Sequence, residues 1–165
     1  MAFPAPLAGK QIRVLIIDDS AFMRHALERL LSQKPGITVV GTAGDGLEGV
    51  KRALELRPDV ITMDVEMPRM DGVTAVGEIM RSLPTPIVMV STLTSEGTAT
   101  AIRALEAGAV DCVGKPSGLS ADLANVGERL MEAVERASVA TLRRQRAAIA
   151  PARPTPAPAR IPTAT

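Results

Sequence analysis

Aromatic residues are almost missing from this chain of 165 residues: it has two Phe and neither Tyr nor Trp. That scarcity argues against a stacking platform for single-stranded nucleic acid. It also leaves the core to Val, Ile, Leu, Met and Ala. The lone cysteine, Cys112, excludes an internal disulfide and fits a reducing compartment. No apolar run approaches the eighteen residues that a membrane-crossing helix needs. The opening MAFPAPLAGK has no basic segment followed by a long apolar one, so no signal peptide is expected.

Strong charge of one sign is also lacking, since 19 basic residues stand against 18 acidic ones. The balance hides an asymmetry. Residues 136–165 hold six Arg and no acid, which leaves 13 basic against 18 acidic residues in the first 135. A mildly acidic folded part is expected, with a basic tail whose six spread Arg are a weak case for nucleic acid.

The hydrophobic content is 46%, enough for a core, and it is arranged in a definite order. Five short apolar runs, IRVLII, ITVVG, DVITM, PIVMV and AVDCV, are continuous rather than alternating, as strands buried on both faces should be. Helix-period segments lie between them. Their apolar stripes are Phe22, Ala26, Leu27, Leu30 and Leu31; then Leu47, Val50 and Leu54; then Val73, Val76, Ile79 and Met80; then Ile102 and Leu105; and last Leu123, Val126, Leu130 and Val134. Ser20 and Asp45 sit at N-cap positions, while Lys34-Pro35-Gly36 and Glu106-Ala107-Gly108 read as helix stops. The order is (βα)5. Right-handed crossovers make this an α/β, doubly wound parallel five-stranded sheet, expected strand order 2-1-3-4-5. Residues 1–10 read as an N-terminal extension and 11–137 as the folded domain. Residues 138–165 read as a helical extension passing into a Pro/Ala-rich linker, with five Pro and seven Ala in the last 19 residues.

Polar residues then fall where such a sheet places its sites, at the carboxyl ends of strands. The first run ends in Asp18-Asp19, the third in Asp64, the fourth in Ser91-Thr92, and the fifth leads into Lys115-Pro116. Each alone is an ordinary turn or cap residue; five at one edge are hard to explain as structure alone. Strand order 2-1-3 sets the first and third strands side by side, so the three aspartates converge. Clustered carboxylates repel and resist desolvation, and a hard divalent cation such as Mg2+ relieves both. With Lys115 and the Ser91 hydroxyl, the cluster has the parts needed to hold a transferred phosphoryl group.

The motifs VLIIDDSAFMR, ITMDVEMPRMDG, PIVMVSTLT and GAVDCVGKP, in this order, resemble a two-component response-regulator receiver domain over roughly residues 11–137. The wording of DVEMPRMDG, VMVSTLT and GAVD is most similar to the receiver of the chemotaxis methylesterase, the CheB type. The resemblance implies the flavodoxin-like receiver fold. It makes Asp64 the phospho-acceptor and Asp18 and Asp19 the acidic pair that organises Mg2+ (or Mn2+), with Asp19 a direct ligand and Asp64 and the Glu66 backbone carbonyl completing the metal site. It makes Ser91 the hydroxyl switch residue and Lys115 the lysine that contacts the phosphoryl group, before a Pro116 bond that is usually cis. It implies a cytoplasmic protein, a chemotaxis-type histidine kinase as phosphodonor, and an output partner such as a C-terminal methylesterase domain. In the parent family that domain is a protein-glutamate methylesterase/protein-glutamine glutaminase; the chain as given would catalyse only its own phosphorylation and dephosphorylation. His25, the only histidine, reads as a partly exposed helix residue. Cys112 stands where the family usually has an aromatic switch residue and is expected to pack as a small apolar side chain.

Two other phosphate chemistries are weaker. GDGLEG, residues 44–49, matches the dinucleotide fingerprint, but it follows the second strand and would set Asp45 against a pyrophosphate. Gly44 and Gly46 read instead as flanking an Asp-capped helix start, with Gly49 permitting close packing. The haloacid-dehalogenase type expects Asp-x-Asp, and Asp64-Val65-Glu66 departs from it.

Overall fold

The computed structural model describes residues 10–92, 95–115 and 120–149. Five strands alternate with five helices: β1 Ile12–Ile17, α1 Ala21–Ser32, β2 Ile37–Ala43, α2 Gly46–Leu56, β3 Val60–Asp64, α3 Gly72–Ser82, β4 Ile87–Ser91, α4 Ser95–Ala107, β5 Asp111–Gly114 and α5 Ser120–Ile149. All strand pairs are parallel and the sheet order is β2-β1-β3-β4-β5, as the apolar runs and crossover rule require.

Alternation along each central strand feeds two cores. Val14 and Ile16 of β1 meet Leu27 and Leu31 of α1 and Val126, Leu130 and Val134 of α5. Leu15 and Ile17 face the other way, onto Ala53 of α2, Val76 and Ile79 of α3 and Ala104 of α4. Each large aliphatic side chain taken out of water here contributes about 1.5–3 kcal/mol before conformational entropy is set against it. The helix starts follow local chemistry. Ser20 caps α1 by accepting from the Met23 amide, Asp45 caps α2 through the Glu48 amide, and Asp71 caps α3 through the Thr74 amide. Gly36 and Gly108, both at positive φ, follow the ends of α1 and α4.

Two expected stripes turn largely outward, although Val50 of the first still packs against the core. Leu47 and Leu54 of α2 are exposed, and the buried positions are Gly46, Gly49 and Ala53. Ile102 and Leu105 of α4 are likewise exposed, while Ala101 and Ala104 are buried. Small residues win these faces because they let the helix come close to the sheet: a Cβ on Gly49 would lie 2.6 Å from Ile17 Cδ1. Phe22, expected in the α1 stripe, is 74% exposed at the helix start, and His25 is exposed. Helix α5 continues well past residue 140, to Ile149. Residues 1–9 of the N-terminal extension and 150–165 of the Pro/Ala segment lie outside the described residues.

Thr62, in the middle of β3, is 1% exposed, and its hydroxyl has no hydrogen-bond partner. A buried hydroxyl without a partner costs about 1–3 kcal/mol. Thr62→Val, nearly isosteric, should therefore raise the unfolding free energy by about 1 kcal/mol, read from the urea midpoint at unchanged slope.

Candidate functional site

Parallel strands end on one edge, and the register decides which residues meet there. Ile17 pairs with Met63, so the next residue of each strand brings Asp18 beside Asp64. Ser91 pairs with Gly114, which delivers Lys115 to the same edge, and the Lys115 amide donates to the Ser91 carbonyl at 2.6 Å.

Carboxylate oxygens of Asp18, Asp19 and Asp64 lie within 4.8 Å of one another. Asp18 and Asp64 are buried and Asp19 is exposed. Lys115 Nζ sits between the two buried acids, 2.8 Å from Asp64 Oδ2 and 3.0 Å from Asp18 Oδ2, with its side chain 15% exposed. The Asp18 oxygen is buried and, although paired with the ammonium, receives no hydrogen bond of good geometry. Asp18 Oδ1 accepts from the Ser20 amide at 2.9 Å, and Arg24 Nη1 donates to the Asp18 carbonyl at 2.6 Å, so α1 fixes this residue from two sides. Asp19, Asp64, Glu66, Ser91 and Lys115 line one open pocket. The structure thus brings Asp18, Asp19, Asp64, Ser91 and Lys115 to one place, and Glu66 lines the same pocket.

Three carboxylates against one ammonium leave the cluster short of positive charge. Burial, and then the neighbouring Asp18 and Asp19, push the Asp64 carboxyl up to about 6, against the downward pull of Lys115. Burial works against the Lys115 charge, but its hydrogen bond and attraction to Asp64, followed by Asp18, hold the ammonium above its ordinary value. The donors are all oxygen and one side is open, which suits a small hard cation that keeps some of its waters.

Cys112 is half-buried against the α2–α3–α4 core, and burial, then the Asp111 charge, push its thiol up. It packs as a small apolar residue, and its thiol is held in the unreactive form. The Pro116 side of the Lys115–Pro116 bond lies outside the described residues. Sequence reasoning overlooked Gly72 and Arg69. A Cβ on Gly72 would fall 2.2 Å from the Asp64 carbonyl oxygen, so only glycine lets α3 start against the acid-bearing strand. The Asp71-Gly72 pair just ahead of a helical pattern was the available signal. Arg69 gave none, because its partner Asp45 is distant in sequence.

A doubly wound sheet with an acid cluster and a lysine at its carboxyl edge defines the receiver class of α/β domains. Residues 14–126 match the family model of the response regulator receiver domain, and the chain belongs to that family. It is 52% identical over 141 residues to the protein-glutamate methylesterase/protein-glutamine glutaminase of Symbiobacterium thermophilum, covering 85% of this chain and 39% of that protein. The Thermotoga maritima protein of the same name is 48% identical over 132 residues, covering 79% and 38%. The crystal structure of the response regulator domain of Thermotoga maritima CheB superposes with a TM-score of 0.73 at 49% identity, covering 79% of this chain and 98% of that one. This is accordingly a receiver domain of a CheB-type response regulator, and the chain spans well under half the length of the curated relatives it matches. Among the described residues no helix is long and apolar enough to cross a membrane.

Proposed function

We propose that this chain is a phosphorylation switch in which Asp64 accepts a phosphoryl group from a chemotaxis-type histidine kinase. The observation that carries the reading is Lys115 Nζ seated between Asp64 and Asp18, with Asp19 closing the carboxylate cluster over an open pocket. Asp18 and Asp19 would hold Mg2+, or Mn2+, with Asp64 and the Glu66 carbonyl. The cation supplies charge neutralisation for the phosphoryl oxygens. An Asp64 oxygen forms the new bond to phosphorus as the bond to the donor imidazole nitrogen breaks, and the electron pair returns to that nitrogen. Lys115 meets the charge on the phosphoryl oxygens, and the Ser91 hydroxyl donates to one of them. Those contacts bias the loops after β3 and β4 and the helix α4, which is how a local charge becomes a surface signal. Water later attacks phosphorus and releases the Asp64 carboxylate. A solved relative with 31% identity and a TM-score of 0.63, the CheX–CheY–BeF3–Mg2+ complex of Borrelia burgdorferi, adds support for the cation.

The curated relatives support a second, compatible reading, that this receiver regulates a protein-glutamate methylesterase. In that reading the unphosphorylated domain blocks the output domain, and phosphorylation relieves the block.

The direct test is cation binding. Mg2+ at a hundred times its dissociation constant should stabilise the chain by about 2.7 kcal/mol. Thermal unfolding reports this as a rise in midpoint with Mg2+, and Asp19→Asn should remove most of the rise. An equal rise in Asp19→Asn would place the cation elsewhere.

A further inference from the structure

The loop between β3 and α3 is tied to a part of the molecule that holds none of the clustered carboxylates. Arg69 stands in this loop at φ 64°, a left-handed conformation that costs a residue with a Cβ about 1–2 kcal/mol. Something beyond the loop therefore has to hold it. Its guanidinium pairs with Asp45, and the aspartate is the buried partner: Asp45 is 5% exposed and Arg69 66%. The other Asp45 oxygen accepts the Glu48 amide at 2.9 Å and caps α2. Beside this pair the chains nearly touch, since a Cβ on Gly46 would lie 2.4 Å from the Met70 carbonyl oxygen. At the base of the loop the Gly72 amide donates to the Val65 carbonyl at 2.9 Å. The loop is thus pinned at its base and at its far turn, with Glu66 between the two points.

We infer that Arg69, acting through Asp45, is a positioning residue: the ion pair docks the β3–α3 loop on the N-terminus of α2 and holds the Glu66 backbone at the rim of the carboxylate pocket. Arg69 touches neither the phosphoryl group nor the cation. The inference rests on the cation reading proposed above and names the device that sets the affinity of that site. Without the guanidinium the Asp45 carboxylate still accepts the Glu48 amide, its strongest partner, so little global stability is lost. The effect of the ion pair belongs in the order of one loop, which separates a positioning role from a merely structural one.

The experiment compares the full chain with Arg69→Ala, Arg69→Lys, Asp45→Asn and the Arg69→Ala/Asp45→Asn double variant. Isothermal titration with Mg2+ reads affinity, and amide exchange in Mg2+-free buffer reads the loop. Arg69→Ala should weaken Mg2+ binding about tenfold, the lower end of what removing an outer support of a metal site costs. Its Mg2+-free thermal midpoint should barely move, and the amides of Glu66, Met67 and residues 69–71 should exchange faster. Asp45→Asn keeps an oxygen for the Glu48 cap and should match Arg69→Ala. The double variant should be no worse than either single one, because both remove the same contact. Arg69→Lys should recover part of the affinity. At saturating Mg2+ the labelling rate of Arg69→Ala should return to that of the parent chain.

Affinity within about twofold of the parent in Arg69→Ala, or losses that add in the double variant, would overturn the inference. A fallen midpoint with unchanged affinity overturns it equally. Where Arg69→Ala fails to fold, Arg69→Lys and Asp45→Asn give the same comparison. A parent chain that binds no Mg2+ sinks the cation reading and this one with it; a parent that binds and an Arg69→Ala chain that binds equally sink this one alone.

Discussion

Asp64→Asn should end labelling by acetyl phosphate and, in Mg2+-free buffer at neutral pH, make the protein more stable. The two effects have one origin. Asp64 lies at the end of β3, 5% exposed, and burial with two neighbouring acids raises its carboxyl from 3.8 to about 6. A carboxyl raised in the folded state contributes stability that is fully present below its unfolded value. That contribution is lost as pH climbs through the folded one. At pH 7 the ionised group is therefore a burden of up to about 3 kcal/mol, which an uncharged amide removes. Denaturant unfolding without metal should show the parent losing stability between about pH 4 and 7, with a flatter profile in Asp64→Asn. Full-rate labelling of Asp64→Asn would move the acceptor elsewhere. A pH profile parallel to the parent's would mean that Asp64 carries no such burden.

Lys115→Ala is the opposite case. The ammonium lies 2.8 Å from Asp64 and 3.0 Å from Asp18, and both carboxylates are buried. Its value is raised in the folded state, so its contribution is whole at neutral pH and lost only as pH rises through that raised value. Removing one member of a buried ionic group leaves the others uncompensated, at a cost of about 3 kcal/mol or more. Lys115→Ala should lose that much near pH 7.5 without metal, and less near pH 5, where Asp64 takes up a proton. Mg2+ should restore part of the loss by supplying the missing positive charge. A loss of equal size at both pH values, unmoved by Mg2+, would show that Lys115 matters for packing rather than for charge. Labelling should fall in this variant even when Mg2+ is saturating, because Lys115 meets the phosphoryl oxygens directly.

Both variants change residues that are legible in the sequence alone. Asp18, Asp19, Asp64, Ser91 and Lys115 can be read there because each ends, or directly follows, an apolar run, and parallel strands all finish on one edge. The strands are legible for a related reason. A strand buried on both faces has to be a continuous apolar run, and IRVLII and PIVMV have little else to be. Weighting large side chains in the same way misreads two helices. Leu47, Leu54, Ile102 and Leu105 carry most of the hydrophobic signal of α2 and α4, yet they lie outside, and Gly49, Ala53, Ala101 and Ala104 are buried. Periodicity finds a face with bulk; close packing selects a face without it. The GDGLEG segment gives a similar lesson. Two of its glycines serve close approach, with Gly49 on Ile17 and Gly46 on Met70, and its aspartate caps a helix.

By itself the sequence determined the order of strands and helices, the sheet edge that carries the acids, and the helix starts at Ser20 and Asp45. All of these follow from local chemistry and from chain connectivity, both of which are written along one dimension. Only the tertiary structure decided which helix faces are buried and that Lys115 sits between two buried carboxylates. It alone decided that Arg69 reaches back 24 positions to Asp45. Such contacts depend on distances between segments remote in the chain, and a distance of that kind is fixed only when the sheet and its helices have packed.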